Sequence, residues 1–200
     1  MAIDKITSAS ITTNAVGPTQ LNEGANYDFT GTVTGAGNIT EADFFHTTSG
    51  QSISADTSTL VSGNWSRTTT TGFSKIGTGM TESSGIFTFP STGIYLITFH
   101  TFWNGFGSNG ASDANYCQSV MKATTNNSSY SNISADISPA SSNINPKVRY
   151  VGTNSQAMFD VTDTSTHKVS FYAYIESENG TLTGGSNNLT YAIFQRLGDT

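Results

Sequence analysis

The apolar positions of this chain fall into short runs broken by Gly, Asn, Ser and Thr, and hardly any stretch carries helical periodicity. Thr, Ser, Asn and Gly compete against helices, whereas Val, Ile, Phe, Tyr and Thr favour strands. The clearest block runs from Ser84 to Trp103. Two strand-like segments, Ile86-Phe87-Thr88-Phe89 and Ile94-Tyr95-Leu96-Ile97-Thr98-Phe99-His100-Thr101-Phe102-Trp103, flank a Pro90-Ser91-Thr92-Gly93 turn. Strand alternation puts Tyr95, Ile97, Phe99 and Trp103 on one face and Leu96 and Phe102 on the other. Both faces carry large apolar groups, so both need cover. One sandwich covers only one of them, and a second copy of the chain is expected on the other. The face of Tyr95, Ile97 and Phe99 is assigned to that contact. Further strands are expected from near Phe44 and Phe45 onward. In Lys168–Ile175, Val169, Phe171, Ala173 and Ile175 alternate with Tyr172 and Tyr174, and a last strand runs Leu189–Leu197. Tyrosines suit a moist subunit interface, because the ring buries area while the hydroxyl finds a partner. Tyr172, Tyr174 and Tyr191 are therefore added to the expected interface.

The first forty residues follow another rule. Ile6, Ile11, Val16 and Leu21 recur every five residues, separated by small polar ones. Four aliphatic anchors bury far too little surface to offset the entropy of ordering about twenty residues. The segment must stay disordered, wrap a partner or intertwine with copies of itself. The regular spacing favours a self-associating stem anchored on those four side chains. A Gly-rich hinge follows, giving a stem and hinge over residues 1–41 and a head over residues 42–200.

Composition narrows the function classes. Eight Lys and Arg stand against fourteen Asp and Glu, a net charge of −6. Without clustered cations, neither nucleic acid nor an anionic membrane surface is an expected partner. No apolar run approaches the roughly 20 residues that span a bilayer, so no membrane insertion is expected. Met1-Ala2-Ile3-Asp4-Lys5-Ile6 has no apolar core of a secretory signal. Yet the Thr-, Ser-, Asn- and Gly-rich body resembles an extracellular surface. A protein made in a host cytoplasm and released within an assembled particle reconciles the two.

Catalytic and metal chemistry is thinly represented. Cys117 is the single cysteine; among apolar neighbours it reads as a small core residue. His46, His100 and His167 are isolated in sequence and form no metal-spacing motif. Asp160 and Asp163 sit in an oxygen-rich stretch where calcium is conceivable, but they lack a full loop pattern and read better as turn residues. Glu176 and Glu178 lie on one strand end, whereas glycosidase carboxylates usually come from different strands. No enzyme activity and no cofactor are expected. The stretch Trp103-Asn104-Gly105-Phe106-Gly107-Ser108-Asn109 is a candidate ligand loop. Trp103, Asn104, Phe106 and Asn109 would stack on sugars and hydrogen-bond their hydroxyls. The competing reading buries Trp103 in the core and closes the sandwich end with Phe106.

Several of these blocks resemble the complement-type (C-one-q) head and tumour necrosis factor superfamily. Gly85–Pro90 and Gly93–Phe99 are similar to its phenylalanine strand, turn and glycine-aromatic strand. Cys117–Lys122, Lys168–Ala173 and Tyr191–Leu197 follow in the family's order. The resemblance covers roughly residues 42–200 and implies a ten-stranded jelly roll that trimerises; some family heads hold calcium. The collagen-like stalk of the animal complement proteins is replaced here by the pentad stem, which resembles stem segments of phage tail fibres. Together these imply a homotrimeric phage virion protein of tail-fibre or receptor-binding type, partnered by other virion proteins and by a host-surface glycan or protein. The alternative is a capsid decoration protein whose N-terminal arm clasps the lattice.

Overall fold

A computed structural model describes residues 39–62, 64–67, 75–104, 116–140, 150–185 and 187–200. The stem residues Ile6, Ile11, Val16 and Leu21 lie outside the described residues, as do Phe106 and Asn109 of the candidate loop.

Among the described residues every regular element is a strand, thirteen in all. They are β1 (Ala42–Thr47), β2 (Gln51–Ile53), β3 (Thr59–Leu60), β4 (Trp65–Arg67), β5 (Thr81–Ser83), β6 (Ile86–Thr88) and β7 (Gly93–Asn104). After them come β8 (Tyr116–Thr124), β9 (Ser131–Pro139), β10 (Tyr150–Val161), β11 (Lys168–Ile175), β12 (Gly180–Leu182) and β13 (Tyr191–Gly198). The number exceeds ten because several pieces, β2, β4, β5 and β12 among them, are only three residues long.

The strands make two antiparallel sheets. In the first, seven-stranded sheet, β7 pairs with β10 on one side and with β13 and β12 on the other. Beyond them, β1 lies next to β13 and β4 next to β1, while β2 lies next to β12. The second, six-stranded sheet runs β5-β6-β11-β8-β9, with β3 also on β11. This is a jelly-roll sandwich, as the strand order predicts. The central strand β7 buries every second residue, because each sheet has one face against its partner and one facing outward.

The interior is aromatic. Phe99 of the first sheet stacks on Phe171 of the second with ring centroids 4.6 Å apart. Phe87 meets Phe45, Phe171 and Phe194 edge-on or tilted at 5.1–5.3 Å. Trp65 closes on Phe87 at 5.4 Å. Such offset and edge-on pairs add about 0.5–1.5 kcal/mol each beyond the burial of area.

That interior corrects one expectation. Tyr95, Ile97 and Phe99 are 1%, 0% and 0% exposed within a single chain. They form the core, not a contact with another copy. The alternation of β7 is as read, but the face directed inward is the one that meets Phe171, Phe87 and Phe194 from other strands. Residues Ile94, Leu96, Thr98, His100 and Phe102 are the outward set.

Two polar devices hold the elements in register. Gly93, at the end of the Pro-Ser-Thr-Gly turn, has φ +139°, and a Cβ there would overlap the Arg196 guanidinium; only glycine lets β7 start so close to β13. Asp43 on β1 is almost fully buried and accepts Arg67 Nε at 3.0 Å, Arg67 Nη2 at 2.8 Å and the Met80 backbone N–H at 2.8 Å. It ties β4 and the segment before β5 to β1.

Candidate binding faces

Cross-strand partners share a face, so the register assigns each outward side chain to one exterior. On the first sheet, Leu96 stands opposite Met158, and Phe102 opposite Gly152. Ile193 lies between Phe44 and Thr98. Tyr191 lies between His46 and His100. The His100 and Tyr191 rings stack at 4.9 Å, and Phe102 stacks on Tyr150 at 5.8 Å. Met158 is 72% and Tyr150 64% exposed, both on β10, an edge of this sheet. The result is a broad apolar and aromatic exterior with Asp160 at its rim.

The outward face of the second sheet is built differently. Tyr172 and Tyr174 project from β11 and Tyr116, Gln118 and Lys122 from β8, all half-buried. Tyr174 stands opposite Gln118, and Tyr172 lies between Val120 and Leu60. Each ring is held. Tyr116 and Tyr174 stack at 5.7 Å. The Tyr174 hydroxyl donates to Asp56 Oδ1 at 3.1 Å. The Lys122 ammonium sits 4.0 Å above the centre of the Tyr172 ring, a cation–π contact. Desolvation, with the bonds to Tyr116 and the Asp56 carboxylate, pushes the Tyr174 phenol up to about 12. Burial and the neighbouring Tyr172 push the Tyr130 phenol up as well.

The residues assigned to one interface thus lie in three places. Tyr95, Ile97 and Phe99 are core, Tyr191 is on the first outward face, and Tyr172 and Tyr174 are on the second. Of the candidate loop, Trp103 is fully buried as the penultimate residue of β7, and its indole N–H donates to Thr101 Oγ1 at 2.8 Å. A Cβ at Gly180 would fall 2.8 Å from Ile175 Cδ1 and 3.3 Å from Trp103 Cε3. Glycine there lets β12 close over the indole. Trp103 cannot stack on an exterior ligand; Asn104, the last residue of β7, is exposed. Tyr116, Tyr130, Lys122, Gln118 and Asp56 were not singled out from the sequence. The alternation Tyr116-Gln118-Lys122 around Cys117 and Ser119 carried the signal.

The other candidates have local partners. His100 Nδ1 lies 2.9 Å from the Leu189 carbonyl and His46 Nδ1 3.2 Å from that of Gly185, so in both the Nδ1–H is the donor. His167 is buried between the hydroxyls of Thr162 and Thr166. Asp163 accepts the Ser165 N–H at 2.8 Å and its hydroxyl at 2.7 Å, and these bonds hold its carboxyl below the usual range. It is a turn residue. Asp160 is an exposed residue of β10. Glu178 is buried with Oε1 unpaired. Cys117 is fully buried, and burial pushes its thiol up to about 12. Among the described residues, no three His, Cys, Asp or Glu side chains gather where a metal would need them.

No protein-family model and no curated protein matches the chain. Solved structures do. The structure of Eiger TNF from S. frugiperda aligns with a TM-score of 0.59 at 14% identity, over 82% of this chain and 96% of that one. The crystal structure of murine APRIL at pH 8.0 aligns with a TM-score of 0.54 at 15% identity, over 78% of this chain and 98% of that one. The fold is a tumour necrosis factor-like jelly roll. At that identity the likeness speaks for the fold alone.

Proposed function

We propose that the chain is the protomer of a homotrimeric, non-enzymatic surface protein, a phage virion component of tail-fibre or receptor-binding type, whose jelly-roll head attaches to a host surface. The observation that carries the trimer is the uncovered exterior of the first sheet. Phe44, Leu96, Phe102, Tyr150, Met158, Tyr191 and Ile193 are spread over four adjoining strands, β1, β13, β7 and β10, and a patch of that size marks an interaction site. A threefold assembly is heterologous: the exposed edge at β10 of one copy meets the broad face of the next. Tyr191 keeps its interface role, and Leu96, Phe102 and Met158 replace Tyr95, Ile97 and Phe99.

Virion placement rests on the pentad of Ile6, Ile11, Val16 and Leu21, which resembles fibre stems, and on a Thr-, Ser- and Asn-rich body. Multi-angle light scattering at micromolar concentration tests the trimer: the expected mass is three times 21.1 kDa, and a monodisperse monomer refutes it. Immunogold labelling of purified particles tests the placement. Label at the tail tip supports the fibre reading. Label over the capsid supports the alternative, in which the N-terminal arm clasps the lattice.

A further inference from the structure

We infer that the tyrosine-lined outward face of the second sheet is a binding platform for neutral oligosaccharides. The inference rests on the attachment reading above and names its site and ligand class. Tyr116, Tyr174 and Tyr172 supply amphipathic ring surface, whose faces pack against the C–H side of a sugar while the hydroxyls meet its polar edge. Tyr172 and Tyr174 are two residues apart on β11, which separates them by about 7 Å; with Tyr116 stacked 5.7 Å beyond Tyr174, the row is longer than one sugar ring. Gln118 and the exposed Asp56 carboxylate stand beside the rings as hydrogen-bonding groups. Sugar hydroxyls need both donors and acceptors, and the face offers amide, carboxylate, ammonium and phenol within one row.

Charge narrows the class. Lys122 and Asp56 leave the row close to neutral, so it has no cation cluster for a polyanionic glycan, a nucleic acid or an anionic lipid. A protein partner is disfavoured too. Covering this face with a flat apolar surface would strip water from Lys122 and Asp56 without pairing them anew, whereas the first sheet offers an exterior without that penalty. The rings are also fixed beforehand. Asp56 holds the Tyr174 hydroxyl, Tyr116 stacks on Tyr174, and Lys122 engages one side of Tyr172, so little side-chain entropy remains to be lost when a sugar lies against the remaining ring surface.

The full chain, with its mass verified in the same buffer, is tested on an immobilised panel of neutral hexose and N-acetylhexosamine oligosaccharides, with uronate- and sialate-bearing glycans as a second arm. Binding to neutral members is expected, weakened at least about tenfold by Tyr172→Ala or Tyr174→Ala. Circular dichroism and light scattering of both variants should match the parent. Tyr174→Phe, which keeps the ring and loses the Asp56 bond, should fall between the parent and Tyr174→Ala. Binding confined to acidic glycans, undiminished binding by the alanine variants, or no binding across the panel overturns the inference. The outcome separates from that of the trimer. A trimer that binds no glycan overturns the platform alone; a monomer whose glycan binding depends on Tyr172 sustains the platform and overturns the assembly.

Discussion

The two exteriors of the sandwich follow one alternation rule yet present different chemistry. On the first sheet the outward side chains include Ile94, Leu96, Phe102, Met158 and Ile193, broken by the Tyr191–His100 stack and by Thr98, Asn154 and Gln156. On the second they are tyrosines tethered by Asp56 and Lys122, beside Gln118. A half-apolar strand pattern therefore does not say whether a face is meant for burial. What distinguishes them is whether each ring has a polar partner in its own chain. A ring tethered to a carboxylate or an ammonium is complete in water, whereas leucine, methionine and isoleucine together gain only by being covered.

The largest effect should come from charging the first face. Leu96→Asp with Ile193→Asp places carboxylates where a neighbouring copy would desolvate them, so the assembly should fall from three chains to one while far-ultraviolet circular dichroism is unchanged. Gln118→Asp, which places a single carboxylate on the second face, should leave the mass as it is. If both variants keep the parental mass in light scattering, the first face is not the interface.

A second prediction concerns what carries the first face. Asp43 receives Arg67 and the Met80 N–H from within the fold, so Asp43→Ala leaves the buried Met80 amide without its acceptor and the Arg67 guanidinium with the Met80 carbonyl but no carboxylate. The cost expected in urea denaturation is about 3 kcal/mol. Below about 1 kcal/mol, the anchoring of β4 to β1 would have to lie elsewhere.

The sequence made much of this legible, and the limits are physical. The long strands β7, β11 and β13 announced themselves through alternation, and the turn before β7 through Pro90 and Gly93. Which side of β7 faces inward was not legible, because Leu96 and Phe102 looked as apolar as Tyr95, Ile97 and Phe99; the choice is made by Phe87, Phe171 and Phe194, distant in sequence. Trp103 was read both on the β7 strand as core and, because Asn104 and Gly105 follow it, as part of a candidate ligand loop; β7 and β12 enclose it, as the core reading has it. The Asp43–Arg67 pair spans 24 positions and has no local signature. Tyr172 and Tyr174 were read correctly as outward and amphipathic, but their partners Lys122 and Asp56 come from other segments.

A smaller effect is expected at Cys117, which lies beneath the second face on β8. Fully buried, with its thiol pushed up to about 12, it should resist thiol reagents at neutral pH and react only as fast as the chain unfolds. Rapid labelling of the native protein would show that β8 and β9 open readily, and that the platform above them is less fixed than its contacts imply.

The smallest effect concerns the tether of Tyr174. Its folded phenol ionises near 12, above the usual value of about 10 for tyrosine, because burial comes first and the bonds to Tyr116 and Asp56 add to it. The protonated form is therefore favoured in the folded state. The resulting stabilisation is fully present below about pH 10 and is lost as pH rises through about 12. Spectrophotometric titration of native protein should lose one late-ionising phenol in Tyr174→Phe. Asp56→Asn removes the charge that opposes phenolate, and should move that same step to lower pH while leaving the first face and the mass untouched. A titration curve identical in parent and Asp56→Asn would mean that Asp56 does not hold the ring, and the contrast between a tethered and an untethered exterior would then rest on Tyr172 and Lys122 alone.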